Sequence, residues 1–131
     1  MEDEPYTGDI SGRDVASYGY IMSPHYPRHY DDDTAMNCTL TPQTSATVVI
    51  TFLDFHLEHS TDCQYDWVEM LAFEQGDLAD RSVHCGVVTP GLMTSLHGDE
   101  VVLRLRTDDS HTRRGFWIKY EGKRRLLIGF Q

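Results

Sequence analysis

His56-Leu57-Glu58-His59 is the stretch of this chain that comes nearest to a zinc-protease signature, and it fails on spacing. That motif needs His-Glu-x-x-His or its inverse, whereas alternation along a strand would point His56 and His59 to opposite faces, so the pair reads as surface histidines. No serine, cysteine or threonine stands in a nucleophile motif, and no Gly-rich phosphate loop occurs. The expectation is a domain that is not an enzyme. Cys38, Cys63 and Cys85 include no Cys-x-x-Cys pair, which argues against structural zinc, and their odd number leaves at least one without a partner in the chain. Asn37-Cys38-Thr39 fits the acceptor pattern for N-glycosylation, with cysteine a less favourable middle residue.

What remains as chemistry is carboxylate. The 21 acidic against 11 basic residues give a net charge of −10, which repels nucleic acid and suits cations or the basic surfaces of other proteins. The plainer alternative is that the acidity serves solubility alone.

The elements that must position these acids read as strands. Val48, Ile50 and Phe52 alternate with Thr47, Val49 and Thr51; Val101, Leu103 and Leu105 alternate with Val102, Arg104 and Arg106; Phe116, Ile118 and Tyr120 oppose Trp117 and Lys119. Residues 17–22 and 65–71 are two further candidates, the latter with Val68 and Met70 inward. Gly, Pro, Asp and Ser punctuate the gaps, and only Glu74 to Arg81 offers a short stretch that could be helix or loop. A length of 131 residues suits one domain, and the pattern predicts an all-β protein, a sandwich or a barrel. Residues 1–16 are polar and aperiodic and read as a flexible lead-in, 17–122 as the folded domain, and 123–131 as a C-terminal strand or linker. No apolar run approaches the roughly 20 residues that a bilayer helix needs, and the acidic start Met1-Glu2-Asp3-Glu4 does not read as a secretory signal.

Taken in order, Ser23-Pro24-His25-Tyr26-Pro27-Arg28-His29-Tyr30, Asn37-Cys38-Thr39, Phe55-His56-Leu57-Glu58, Cys63-Gln64-Tyr65-Asp66-Trp67-Val68, Cys85-Gly86, Thr107-Asp108-Asp109-Ser110 and Gly115-Phe116 form a series that resembles the CUB domain family, over about residues 17 to 121. The resemblance implies a sandwich of two antiparallel β-sheets in a secreted protein or on the extracellular face of the cell surface, as one module of a larger multidomain protein. It also implies a calcium site with Glu58, Asp66 and Asp108 as carboxylate ligands, a backbone carbonyl at Ser110, Asp109 beside them, and Tyr30 packed against the ligand acids. Calcium suits this set because a hard cation takes six to eight oxygens and relieves the repulsion of converging carboxylates. His111 departs from the asparagine frequent at that family position, and an imidazole is a poor calcium ligand.

The family's second disulfide falls on Cys63 and Cys85, a loop whose closure stabilises the fold by roughly 3 kcal/mol. The cysteine that would pair with Cys38 is missing, so Cys38 is either a buried thiol or bonded outside this chain. The partner expected from the resemblance is a protein that presents lysine or arginine to the calcium-held acids. A second reading is a regulatory CUB segment that masks part of a growth factor or metalloprotease until cleavage at Lys123-Arg124-Arg125.

Overall fold

Alternating residues become the two sides of strands, and the strands pair into two sheets. The structure is a computed structural model that describes residues 7–15, 18–42 and 46–124, with side chains over 18–42 and 47–122. Among the described residues the strands are β1 (Thr7–Val15), β2 (Tyr18–Met22), β3 (Ala35–Pro42), β4 (Ala46–His56), β5 (Trp67–Glu74), β6 (Asp77–His84), β7 (Met93–His97), β8 (Glu100–Arg106) and β9 (Gly115–Arg124), with a 3-10 turn at Thr61–Cys63. One sheet has the order β1-β3-β8-β5-β6 and the other β2-β9-β4-β7. All pairings are antiparallel except β1 with β3. The expected two-sheet β-sandwich is therefore present, with a parallel strand added at one edge.

The core lies between the sheets and is filled from both. Met36, Cys38 and Leu40 of β3, Val68, Met70 and Ala72 of β5 and Val101, Leu103 and Leu105 of β8 meet Val48, Ile50 and Phe52 of β4 and Phe116, Ile118 and Tyr120 of β9, all buried. The period of two in β4 then breaks: after Phe52 the next inward side chains are Phe55 and Leu57. A register shift between Phe52 and Asp54 against β9 is the cause, since one extra residue in a bulge moves everything beyond it to the other phase. The bulge turns the end of β4 so that Glu58 leaves it at the loop end of the sandwich.

Two segments differ from the reading of the sequence, and at a third, the C-terminus, the first residues of the expected strand are present. Residues 1–16 contain β1 at Thr7–Val15, and within that stretch residues 1–6 and 16 fall outside the described part. Thr-Gly-Asp-Ile-Ser-Gly-Arg-Asp-Val has no hydrophobic alternation; the strand is defined by backbone pairing to β3, with its own register shift between Ile10 and Arg13. Glu74 to Arg81 is a β-hairpin joining β5 to β6, closed by Gln75 and Gly76 at φ 51° and 85°. Two central residues at positive φ match the right-handed twist of the flanking strands. At the C-terminus Lys123 and Arg124 continue β9 opposite Thr47 and Ala46, while residues 125–131 lie outside the described part. Cys38 is fully buried in the core. A bond from it to another chain would require the sandwich to open. No helix among the described residues is long and apolar enough to cross a membrane.

Candidate metal centre

Three loops meet at one end of the sandwich: residues 23–34 between β2 and β3, 57–66 between β4 and β5, and 107–114 between β8 and β9. They are tied by hydrogen bonds between residues far apart in sequence. Thr34 N–H donates to Thr107 Oγ1 at 2.7 Å, Thr107 N–H to the Thr34 carbonyl at 3.0 Å, and the hydroxyls of both threonines donate to the Asp31 carbonyl. Asp33 N–H donates to the Asp108 carbonyl at 2.8 Å, and Tyr30 N–H to the Arg113 carbonyl at 3.0 Å. Where β9 begins, Ser23 Oγ accepts from Phe116 N–H at 2.9 Å. Gly115, at φ 91°, must be glycine there, because a Cβ would run into Ser23.

Within this frame Tyr30 and Asp66 are buried, at 1% and 0% exposure. The Tyr30 hydroxyl donates to Asp66 Oδ2 at 2.5 Å and accepts from Glu58 N–H at 3.2 Å. Asp66 Oδ1 accepts from Asp108 N–H at 2.9 Å, and Asp108 Oδ1 from Ser110 N–H at 3.3 Å. Carboxylate oxygens of Glu58, Asp66 and Asp108 all lie within 4.8 Å of one another. Burial pushes the Asp66 carboxyl up to about 6; hydrogen bonds from Tyr30 and Asp108 N–H oppose the rise and the Asp108 carboxylate adds to it. Burial and the bond to Asp66 also raise the Tyr30 hydroxyl, which stays a protonated donor.

Glu58 Oε1 is buried with no hydrogen-bond partner among the described residues. Leaving such an atom unmatched costs on the order of 1–3 kcal/mol, more for a charged group. An all-oxygen set with one orphaned carboxylate oxygen is the donor chemistry of a hard cation such as calcium.

The remaining expected residues are placed as follows. Asp109 is exposed and stands outside the group of three acids. Ser110 shares the turn with Asp108, and its Oγ lies 2.9 Å from His111 Nδ1. His111 is exposed at the rim, with Nδ1 3.6 Å from Glu58 Oε2. Cys63 and Cys85 form a disulfide with Cα atoms 5.5 Å apart, and the neighbouring Gly86 carbonyl accepts from Leu57 N–H at 2.8 Å, so the Glu58 loop is pinned on both sides. Asn37 lies in mid-β3, where its Oδ1 accepts from Arg106 Nη2 at 2.8 Å.

A second cluster went unseen in the sequence. Asp54, at the bulge, accepts from Arg114 Nε and Nη2 at 2.7 Å each and from the Tyr26 hydroxyl at 2.5 Å. This ties the 23–34 and 107–114 loops to β4. The Arg114 guanidinium, with Tyr26 assisting against the effect of burial, holds the Asp54 carboxyl down at about 2. Sixty residues separate Asp54 from Arg114, and no local pattern joins them.

A two-sheet sandwich with a buried oxygen cluster where its loops meet is the architecture of a binding module, in which the site belongs to loops held by a rigid frame. The CUB domain family model matches residues 11–120, and the chain belongs to that family, whose domains are protein-interaction modules of extracellular proteins. Protein SpAN of Strongylocentrotus purpuratus is 33% identical over 112 residues, 86% of this chain and 18% of that protein. Human procollagen C-endopeptidase enhancer 1 is 30% identical over 116 residues, 88% of this chain and 25% of that protein. The chain thus spans a quarter or less of these curated relatives. Among solved structures, the extracellular region of zebrafish Gpr126/Adgrg6 aligns with a TM-score of 0.76 at 27% identity, over 93% of this chain and 15% of that one. The MASP-1 CUB2 domain, whose crystal structure is described as bound to Ca2+, aligns with a TM-score of 0.68 at 25% identity, over 85% of this chain and 98% of that one.

Proposed function

We propose that this domain is a non-catalytic extracellular module that binds calcium through Glu58, Asp66 and Asp108, and that its calcium-ordered end captures lysine or arginine side chains of a partner protein. The observation that carries the reading is the convergence of one carboxylate oxygen each from Glu58, Asp66 and Asp108 within 4.8 Å of one another, with Glu58 Oε1 buried and without a hydrogen-bond partner among the described residues. The Ca2+ described in the MASP-1 CUB2 relative supports the choice of ion. The Ser110 carbonyl is assigned as a further ligand, with Tyr30 orienting Asp66 from behind and Asp109 adding charge at the rim. His111 contributes no ligand, and its place in the shell falls to water.

The ion's contribution is charge: it neutralises the carboxylates that otherwise repel one another. Its indirect effect is to hold the 57–66 and 107–114 loops in one arrangement, so that Glu58 and Asp108 can accept from an ammonium or guanidinium without first being ordered. The negative charge of the rest of the chain steers a basic partner toward that end.

Calorimetry on the oxidised domain tests the reading. Saturable calcium binding that is absent in Asp108→Ala supports it. Absence of binding at millimolar calcium, or binding that Asp108→Ala leaves intact, removes it. Loss of partner binding in chelator then tests the capture step.

A further inference from the structure

On the outer face of the five-stranded sheet this acidic chain presents arginine. Arg104 and Arg106 project there from β8 and Arg81 from β6, with Trp67 and Glu69 of β5 between them: Trp67 pairs with Arg106, Glu69 with Arg104 and Val83, and Leu71 with Arg81. Glu69 is 7% exposed, and its carboxylate is spent, Oε2 accepting from Arg81 Nε at 2.6 Å and Oε1 from Arg104 Nη1 at 3.4 Å. It therefore orients two guanidinium groups and neutralises one. Arg106 adds charge, while its own terminal nitrogens donate to the Met36 and Leu105 carbonyls and to Asn37 Oδ1.

The terminal nitrogens of Arg81 differ in having no protein acceptor among the described residues. Arg81 also lines a cleft of about 510 Å³ with Trp67, Val83, Cys63 and Asp62. Asp62 is the acid on this lining and is exposed, so solvent screens its charge.

We propose that this cleft binds a carboxylate side chain in an acidic segment of a protein partner. Arg81 grips the carboxylate with its terminal nitrogens, and Trp67 and Val83 receive an adjoining apolar side chain. Charge complementarity selects the occupant: a planar guanidinium already fixed through Nε by a buried glutamate presents its remaining donors as a fork that matches a carboxylate. An aromatic residue beside arginine is also the composition that dominates protein interfaces. A polysulfated chain would need several guanidinium groups in the cleft, whereas Arg81 is the one arginine on its lining among the described residues: Arg104 is tied to Glu69 outside it, and the terminal nitrogens of Arg106 are spent on the protein itself. The site shares no residue with the carboxylate cluster and presents an arginine where that cluster presents acids, so the two can hold different partners.

The test is a nitrogen-15 NMR titration of the oxidised, calcium-supplied domain with a ten-residue peptide of alternating Glu and Leu and its Gln counterpart. The Glu peptide should shift the amides of Trp67, Arg81 and Val83, and Arg81→Gln should weaken binding about tenfold. Because Arg81→Gln strips Glu69 of a partner and can unfold the domain, Asp62→Asn on the exposed turn supplies an independent reading and should tighten binding about twofold. The proposal is overturned if the Gln peptide binds as well, if the shifts fall elsewhere, if Asp62→Asn has no effect, or if a heparin oligosaccharide shifts the same amides at lower concentration than the Glu peptide.

Discussion

The two ends of this sandwich are closed by different physics. At the end away from the carboxylates, β5 returns as β6 through Gln75-Gly76 and β7 as β8 through Gly98-Asp99. Those two turns are stitched together by Gln75 N–H to Asp99 Oδ2 and Asp99 N–H to the Phe73 carbonyl, both 2.9 Å. Both of these closures use short, local connections. At the other end three long loops are held by bonds such as Tyr30 to Asp66, Asp66 to Asp108 and Asp54 to Arg114. A hairpin satisfies its own backbone. A long loop must bury polar side chains to hold its shape, and burying them carries a cost that the hairpin avoids.

The disulfide is where the comparison breaks most easily. Replacing Cys63 and Cys85 by alanine should cost about 3 kcal/mol in chemical denaturation. Amide exchange should show the loss of protection concentrated in residues 57–66 and not in the hairpin at Gln75-Gly76. A uniform loss across both ends would erase the distinction.

Asp66→Ala should come next, at about 2–3 kcal/mol in metal-free buffer, because it orphans the buried Tyr30 hydroxyl and one N–H that ties the 107–114 loop. Urea midpoints compared with those of Tyr30→Phe in a double-mutant cycle would show whether the two act as one unit.

The Asp54 clamp sharpens the comparison through pH. Its carboxyl is held at about 2, below the ordinary 3.8, so the folded state favours the ionised form. That stability is present above about pH 4 and is lost as pH falls toward 2. With Arg114 partly exposed, the contribution is on the order of 1–2 kcal/mol after screening. Melting temperatures of wild type and Asp54→Asn should converge between pH 4 and pH 2; a constant gap would show that the carboxylate's charge is not what binds the loops.

The smallest effect belongs to the hairpin end. Gln75→Asn gives the turn the Asn-Gly pair its positive φ values favour and should stabilise by about 0.5 kcal/mol. The proposed calcium binding should not change, and calorimetry would register any coupling between the ends.

Much of the frame was legible because burial in a sheet follows a period of two. Val48, Ile50 and Phe52, Val101, Leu103 and Leu105, and Phe116, Ile118 and Tyr120 are buried as their alternation predicts. β1 was illegible because an edge strand paired through its backbone needs no hydrophobic pattern, and the phase change beyond Phe52 was illegible because a bulge is an event between two strands. At the loop end, the order of motifs pointed to Glu58, Asp66 and Asp108, and the structure brings them together. No motif pointed to the Asp54 clamp or to the arginines around Glu69.

The sequence by itself determined which side chains could leave water, the acidic balance, and the identities of the residues in the loops, since these are properties of side chains and their local order. The tertiary structure decided which carboxylate is buried, which oxygen is left without a donor, and that Arg81 keeps donors to spare while Arg106 does not. Those outcomes depend on distances between segments tens of residues apart, and only the packing of the two sheets sets them.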